Sequence, residues 1–420
     1  MSFVTKLKCS KCGTEYSSED RVCLCKNNDD GRLDISYDYV EISDRLTAHS
    51  LHKREAGVWR YRELLPLEQD TAIVTLGEGG TPLIESRRLA EKLGVKHLHL
   101  KDETRNPTGS YKDRSMSVGI TKGIEMGVNT VVTCSSGNAA AALAAYSAKV
   151  GLDCYAFVIE IAPEEKLVQI QTYGGKVVRV SGLEMGMDPT VKMLKESVSR
   201  YGWYPCPGMG PFNPYQVEGS KTIAYEVAEQ MSWEIPDWIV VPMGCGCLVT
   251  GIWKGFRDLK ELGFTDRYPR IAGVQSTGNA PIVRAFREGK NPSEIARWEK
   301  PDTIAGGLAD PYPWDGDGAL AAMRETRGTA VAVPDSDILE AELLLASREG
   351  IFAEPSGATS LAGFIGLVKL GVVAADDTVV VTVTGSGLKD AFATASLLKK
   401  ARTISPTIEE LEKELGIRRS

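Results

Sequence analysis

The hydrophobic pattern alternates between two periods along most of the chain. From about residue 97, short runs rich in β-branched residues are separated by longer segments with helical spacing. The strand-like runs lie at 98–100, 130–133, 154–159, 176–180, 238–241, 270–275 and 378–383. The helical segments include 164–173, 190–201 and 222–231. This alternation predicts an α/β fold with parallel sheets that are covered on both faces.

The length of the chain predicts two lobes. At 420 residues, the chain is too long for one small core. We expect an N-terminal segment at 1–35 and a two-lobed domain at 36–420. The large lobe is predicted at about 36–124 and 216–420, and a small mobile lobe at about 125–215. Helix signals after residue 405 predict a packing or dimer helix, so a homodimer is expected.

The charge and the apolar stretches exclude several classes of partner. A formal net charge of −7 argues against general affinity for nucleic acids. The N-terminal residues lack the apolar run of a signal peptide, and the charge-free stretch 127–148 is interrupted by polar residues and glycine. Nine cysteines in a chain of this length do not make a disulfide scaffold. We therefore expect a cytoplasmic enzyme with no nucleic-acid or membrane partner.

Four cysteines near the N-terminus indicate a metal site. Cys9, Cys12, Cys23 and Cys25 follow the pattern C-x2-C, ten residues, C-x-C. Two pairs of thiolates on adjacent turns suit a tetrahedral structural zinc site, so the segment 1–35 is predicted to be zinc-ribbon-like and to hold Zn. The alternative is a set of reduced thiols that bind no metal, because C-x-C is tighter than the usual C-x2-C.

A lysine in a small-residue turn predicts an enzyme with an aldehyde cofactor. Lys112 follows a Gly-Ser-Tyr turn, and Ser135-Ser136-Gly137-Asn138 opens an alanine-rich helix about two dozen residues later. Pyridoxal phosphate needs one lysine amine for its Schiff base and peptide N–H groups for its anionic parts. A hydrolase is disfavoured, because the four histidines all precede the lysine and none belongs to a catalytic triad pattern.

A second small-residue loop follows the apolar strand at 238–241. The loop consists of Gly244, Cys245, Gly246, Cys247 and Leu248. Peptide N–H groups at the start of a helix, unobstructed by side chains, form an anion cradle. A dinucleotide fingerprint would require glycine at position 249, which is valine, so that interpretation is excluded. A plain tight turn without a ligand is the alternative.

Two segments resemble a known family. Asn-Pro-Thr-Gly-Ser-Tyr-Lys-Asp-Arg at 106–114 and Thr-Gly-Ser-Gly-Leu-Lys-Asp at 384–390 are similar to motifs of threonine synthases. These enzymes belong to the tryptophan-synthase-β-like, fold type II pyridoxal-phosphate enzymes. The resemblance implies a two-lobed fold of that type, with Lys112 as catalytic and cofactor lysine. It also implies that Thr384 faces the pyridine nitrogen of the cofactor.

The resemblance implies roles for the two loops as well. The loop 244–248 would hold the cofactor phosphate, and Asn138 would donate a hydrogen bond to the phenolic oxygen of the cofactor. The substrate carboxylate would bind at the start of the alanine-rich helix. Its predicted ligands are Ser135, Ser136, Gly137 and Ala139. The substrate would be a small amino acid.

Three departures from the family pattern bear on the reaction. Gly-Cys-Gly-Cys-Leu replaces the usual Gly-Asn-Ala-Gly-Asn and resembles loops of amino-acid dehydratases. Gln216 replaces an arginine and is predicted to sense the distal group of the substrate, and Ser386 replaces a histidine. The leading hypothesis is a threonine synthase acting on O-phospho-L-homoserine. The alternatives are an ammonia-lyase of serine, threonine or diaminopropionate or a related β-replacement enzyme, and a non-catalytic binding protein.

Overall fold

A computed structural model of the chain describes residues 2–182 and 188–417. Residues 183–187 of the predicted small lobe lie outside the described residues. The strands in the described part are β1 (Val4–Cys9), β2 (Glu15–Tyr16), β3 (Leu33–Tyr37), β4 (Leu83–Glu85), β5 (His97–Asp102), β6 (Thr130–Thr133), β7 (Asp153–Ile159), β8 (Lys176–Val180), β9 (Tyr204–Pro205), β10 (Trp238–Pro242), β11 (Arg270–Ser276), β12 (Thr329–Val333) and β13 (Thr378–Val383).

The strands alternate with helices for most of the chain. The α-helices are α1 (Tyr39–Ser43), α2 (Ala48–His52), α3 (Arg87–Leu93), α4 (Lys112–Glu125), α5 (Asn138–Val150), α6 (Glu164–Thr172), α7 (Pro189–Tyr201), α8 (Pro214–Ser220), α9 (Thr222–Gln230), α10 (Cys247–Glu261), α11 (Pro281–Arg287), α12 (Gly316–Glu325), α13 (Asp335–Leu344), α14 (Pro355–Lys369) and α15 (Ile408–Leu415). Among the described residues, no helix combines the length and the apolar character that a membrane crossing requires.

Two sheets carry the α/β part of the fold. One has six strands in the order β12-β11-β10-β13-β5-β4, and all neighbours in it are parallel except the antiparallel edge strand β4. The other has four parallel strands in the order β8-β7-β6-β9. The predicted α/β fold is confirmed. All seven predicted strands form, whereas β12 was not predicted although its sequence, TAVAV, is typical of a buried strand.

Burial explains why the central strands are uniformly apolar. Every residue of β10 is buried, because helices cover both faces of the six-stranded sheet at this strand. Parallel sheets of this kind need continuous apolar runs, in contrast to the alternating pattern of a half-exposed strand. The four-stranded sheet falls within residues 130–205, inside the range predicted for the small lobe; the division into lobes itself stays a prediction.

The N-terminal segment forms a small antiparallel sheet in the order β2-β1-β3. It is tied to the rest of the chain by polar contacts in buried positions. The Arg32 guanidinium lies 2.7 Å from the Asp317 carboxylate, and the Tyr37 hydroxyl donates to Glu218 at 2.6 Å. The segment is therefore an integral part of the folded protein and not a separate appendage.

Candidate active site

A cavity of about 1250 Å³ opens at the carboxyl ends of β6, β10 and β13. Ligands of α/β proteins bind preferentially at this edge of the sheet, in the crevice formed by the loops that follow the strands. The predicted site residues in its wall are Lys112, Ser135, Ser136, Gly137, Asn138, Ala139, Gly244, Cys245, Gly246, Cys247, Leu248 and Thr384. Of the predicted cofactor and substrate residues, Gln216 alone does not line the cavity.

Lys112 is the first residue of α4, and its amine projects into the cavity. The Nζ atom lies 3.4 Å from the Gly208 carbonyl oxygen and 3.8 Å from the Cys247 sulfur. It also lies 5.0 Å from the centre of the Tyr111 ring. Among the described residues, no carboxylate lies within ion-pairing distance of this amine. A lysine in such surroundings is available for covalent chemistry, in contrast to one held by a salt bridge.

The start of α4 is anchored by a buried network that includes Arg114. Its guanidinium is fully buried and lies 2.7 Å from carboxylate oxygens of both Glu103 and Glu226. Lys101 adds a second cation, 2.7 Å from Glu226. The charges of the two cations and two carboxylates neutralise one another in a buried position that water does not solvate. The network therefore fixes the helix turn that carries Lys112.

The loop 244–248 is built for close approach of an anion to its backbone. It joins β10 to α10, and Gly246 adopts a left-handed backbone with φ of +106°. A Cβ atom at Gly246 would lie 2.7 Å from the Asp315 carbonyl oxygen, and one at Gly244 would lie 3.2 Å from that of Gly307. Position 246 therefore requires glycine and a side chain at position 244 would be crowded, so the loop can present peptide N–H groups at the start of α10. These features fit the phosphate of pyridoxal phosphate.

Two cysteines of the same loop form a close pair beside Lys112. The sulfur atoms of Cys245 and Cys247 are 3.7 Å apart. A hydrogen bond from the Cys245 thiol lowers the pKa of Cys247 to about 5, burial acts in the opposite direction, and the Lys112 ammonium lowers the pKa further. Burial is the largest single influence on the pKa of Lys112 and lowers it, but the charges of Cys247, Tyr111 and Cys245 together outweigh burial and raise that pKa.

Thr384 lies behind the turn that carries Lys112. Its carbonyl oxygen accepts a hydrogen bond of 3.0 Å from the Tyr111 N–H, and the Ser386 N–H donates to the Gly109 carbonyl at 2.8 Å. The loop after β13 is thus joined to the lysine turn through main-chain hydrogen bonds. This arrangement brings the Thr384 side chain to the wall of the cavity, where a hydroxyl can face a ring nitrogen.

Asn138, the first residue of α5, has a partner that the sequence did not reveal. Its amide nitrogen donates to a carboxylate oxygen of Glu354 at 2.7 Å. Burial raises the pKa of Glu354, which precedes Pro355 at the start of α14. The available signal was the Glu-Pro pair, which is typical of a helix start. Its role as support for Asn138 depends on a contact across more than two hundred residues.

Gln216 requires a correction. Its side chain is 1% exposed and does not reach the cavity. The amide oxygen accepts from the Gly208 N–H at 2.9 Å, and the amide nitrogen lies 2.9 Å from the Met116 sulfur. Since the Gly208 carbonyl faces the Lys112 amine, Gln216 supports the turn that borders the lysine. It makes no direct contact with the space a substrate would fill.

The cysteines near the N-terminus also differ from the predicted set. Ligand atoms of Cys9, Cys12, Cys25 and Asp29 lie within 4.8 Å of one another. Cys23 does not join them: its buried thiol is close to Tyr204, and burial raises its pKa to about 12. The structure thus groups three of the four predicted ligands with a carboxylate.

Comparisons with known proteins agree with the geometry. The sequence model of the pyridoxal-phosphate dependent enzyme family matches residues 74–385. The chain belongs to this family. It is 42% identical to a threonine synthase of Methanocaldococcus jannaschii over 388 residues, covering 91% of this chain and 92% of that protein. It is 40% identical to a threonine synthase of Methanosarcina acetivorans over 414 residues, covering 97% and 98%.

A solved structure shows the same fold. Maize serine racemase superposes with a TM-score of 0.63 at 25% identity, covering 76% of this chain and 91% of that chain. The predicted resemblance to threonine synthases and the predicted pyridoxal-phosphate chemistry are confirmed by these relatives.

Proposed function

We propose that this pyridoxal-phosphate-dependent lyase is a threonine synthase, which converts O-phospho-L-homoserine and water to L-threonine and phosphate. The observation that carries the proposal is the Lys112 amine in a cavity between an anion cradle and the Ser135–Asn138 turn. The similarity to two proteins named threonine synthase, over more than nine tenths of the chain, supports the choice of reaction.

The residues around the cavity suit the parts of the cofactor. The loop 244–248 would hold the phosphate, Asn138 the phenolic oxygen and Thr384 the ring nitrogen. When bound, pyridoxal phosphate supplies an electron sink that stabilises negative charge on substrate carbons. Glu354 fixes the side-chain amide of Asn138, so the donor to the phenolic oxygen is oriented before the cofactor binds.

Lys112 is the candidate acid and base. Among the described residues no histidine lines the cavity, so its amine is the group suited to move protons at Cα and Cβ of the substrate. The Gly208 carbonyl and the Tyr111 ring restrict where the amine can go. An amine that is covered on these sides delivers its proton to the substrate in preference to water.

Two lysines in the wall of the cavity favour a phosphorylated substrate. Lys166 and Lys389 both line the cavity. We expect these two lysines, and not Gln216, to contact the distal group of the substrate. The Lys166 amine lies 3.5 Å from the Asp390 carboxylate, a loose pair that a phosphate can displace. The substrate carboxylate would bind at the start of α5, on the N–H groups of Ser135, Ser136, Gly137 and Ala139.

The decisive test is the pair of products. Purified protein loaded with pyridoxal phosphate is expected to release threonine and inorganic phosphate from O-phospho-L-homoserine in equal amounts. Lys166→Gln should raise the KM for this substrate about tenfold, since one charge-assisted contact is lost. Lys192→Gln, at an exposed position of α7, is the matched control and should change nothing. Phosphohomoserine left intact by the wild type would refute the proposal.

An ammonia-lyase is the second candidate. The Gly-rich loop resembles those of dehydratases, and the segment Thr-Ile-Ala-Gly-Gly at 303–307 is similar to their Thr-Ile-Ala-Asp-Gly run. Gly306 and Gly307 of this segment border the cavity. The Gly307 N–H donates to the Ser356 hydroxyl at 2.9 Å, which fixes this segment against the start of α14. Formation of a 2-oxo acid and ammonia from serine or threonine, with phosphohomoserine untouched, would establish this activity instead.

We further propose that the N-terminal cluster binds zinc through Cys9, Cys12, Cys25 and Asp29. The Cys12 and Cys25 sulfur atoms are 3.6 Å apart, and the Cys9 sulfur lies 3.4 Å from an Asp29 oxygen. Thiolates and carboxylates are both zinc ligands, and four of them close a structural site. A hydrogen bond from the Cys12 thiol lowers the pKa of the Asp29 carboxyl to about 2, so this ligand is ionised at neutral pH.

Zinc content tests the ligand set. Protein purified without chelator is expected to contain about one zinc ion per chain, and Cys12→Ser or Asp29→Asn should lose most of it. Cys23→Ala is the matched control and should keep the metal. Absence of zinc from the wild type would refute the site, and loss of zinc in Cys23→Ala alone would restore the originally predicted set.

The assembly and the location remain proposals. Helix α15 is exposed, with Ile408 and Leu415 at 55% and 61% of their full accessibility, which suits the predicted homodimer. Sedimentation of the purified protein would test the dimer. The cytoplasmic location rests on the composition and on the metabolic reaction proposed above.

A further inference from the structure

Cys245 and Cys247 have an arrangement that the proposed reaction does not use. Their sulfur atoms are 3.7 Å apart, and both residues line the cavity. A disulfide requires a separation of about 2.05 Å, so the two atoms must close by roughly 1.7 Å. Side-chain rotation and small adjustments at the intervening Gly246, whose backbone is left-handed, can supply such a movement.

The surroundings of the pair favour oxidation of one particular sulfur. The Cys247 sulfur lies 3.8 Å from the Lys112 amine and 3.9 Å from the Tyr111 hydroxyl. A cation and a hydroxyl next to a thiol stabilise its thiolate, which is the form that reacts with peroxides. Cys245 is then the thiol positioned to resolve the product. Cys134 lines the same cavity, but burial raises its pKa, so it stays protonated.

We propose that Cys245 and Cys247 are an oxidation-sensitive dithiol in the cofactor cradle, which peroxide closes to a disulfide when the cofactor is absent. The Cys247 thiolate attacks a peroxide oxygen, the O–O bond breaks, and water leaves after protonation of the released oxygen. The Cys245 sulfur then attacks the resulting sulfenic acid, the S–S bond forms, and a second water leaves. Two thiols lose two electrons in total, and one hydrogen peroxide is reduced to two water molecules.

The cofactor and the disulfide exclude each other in this scheme. The proposal rests on the cofactor site described above, but not on the identity of the substrate. A phosphate held on the N–H groups of the loop would place negative charge beside Cys247, and the cofactor aldehyde would take up the Lys112 amine, so the thiolate loses its stabilisation. Conversely, drawing the two sulfur atoms together turns the N–H groups of the loop away from the phosphate.

The test compares the full-length protein with and without bound pyridoxal phosphate. Each sample is treated with hydrogen peroxide in metal-free buffer, and the peptides are mapped by mass spectrometry. Without cofactor, the peptide that contains both cysteines should become lighter by two hydrogen atoms and return to its original mass with a dithiol reductant. Bound cofactor should slow this change at least about tenfold, and the oxidised protein should bind pyridoxal phosphate about tenfold more weakly.

Variants separate the two sulfur atoms. Cys245→Ser should accumulate a sulfenic acid at Cys247 that a dimedone reagent traps, whereas Cys247→Ser should resist oxidation at this peptide. Cys134→Ser is the matched control and should oxidise like the wild type. Equal oxidation rates with and without cofactor, or an oxidised loop that binds the cofactor as tightly as the reduced one, would overturn the inference. Turnover of phosphohomoserine is assayed separately, so failure of the proposed function would be recognised independently.

Discussion

Replacing Gln216 by methionine tests whether this residue supports the lysine turn or contacts the substrate. The amide oxygen of Gln216 accepts the Gly208 N–H at 2.9 Å in a buried position. Methionine has a similar volume but no strong acceptor, so the Gly208 N–H would be left without a partner. A buried donor without an acceptor costs about 1–3 kcal/mol. We expect the free energy of unfolding to fall by that amount.

The same change should act on catalysis through Gly208. The carbonyl of Gly208 lies 3.4 Å from the Lys112 amine, so movement of this turn misplaces the acid and base. We therefore expect kcat to fall by about tenfold or more, while the KM for phosphohomoserine changes by less than about threefold. Urea unfolding gives the stability, and steady-state phosphate release gives the two kinetic constants.

Gln171→Met is the matched control, because Gln171 is exposed on α6. It should leave both the stability and the kinetics unchanged. A Gln216→Met protein with unaltered stability and kcat but a KM raised tenfold would refute the reasoning. That result would show that Gln216 binds the substrate directly, as the sequence originally predicted.

Three further changes test the lysine and its surroundings. Lys112→Ala should abolish turnover and the visible absorption of covalently bound cofactor, and a borohydride-reduced adduct on any other lysine would contradict the assignment. Burial raises the pKa of Asp113 from 3.8 to about 7. The protonated carboxyl therefore contributes to stability at low pH, and this contribution is lost as the pH rises through about 7. Asp113→Asn should remove this part of the pH dependence of stability, measured by urea unfolding. Arg114→Met should lower the free energy of unfolding by about 3–5 kcal/mol, because Glu103 and Glu226 lose their buried partner, and a loss below about 1 kcal/mol would refute that role.

The parts of the site that the sequence could predict are those encoded in continuous segments. Lys112, the loop 244–248 and Thr384 each follow a recognisable turn or strand end, and parallel strands bring their carboxyl ends to one edge of the sheet. Local patterning was therefore sufficient to bring these residues together. The apolar strands were predicted correctly for the same reason, because their composition indicates that they are buried.

Contacts between distant segments could not be predicted in this way. Glu354 supports Asn138, although 216 positions separate them in the sequence. Asp29 joins the cysteine cluster, although the sequence around it shows no spacing typical of metal ligands. Cys23 leaves that cluster because its side chain faces the core. Each of these outcomes depends on which way a side chain points in the folded chain, and residue spacing does not determine that direction.

The departures from the threonine synthase pattern fall at positions with different structural roles. At Ser386 the main-chain N–H donates to the Gly109 carbonyl at 2.8 Å, as that of any residue except proline could, and the hydroxyl accepts from the Leu388 N–H at 3.3 Å. Gln216 lies beneath the Gly208 turn, where an arginine would place a second cation close to Lys112. At Cys245 and Cys247 the flanking glycines preserve the backbone of the cradle, and the side chains are free to add chemistry of their own. The lysine, its cradle and Thr384 are thus compatible with all three substitutions, which explains how the chain can keep the reaction of its relatives while differing beside the cofactor site.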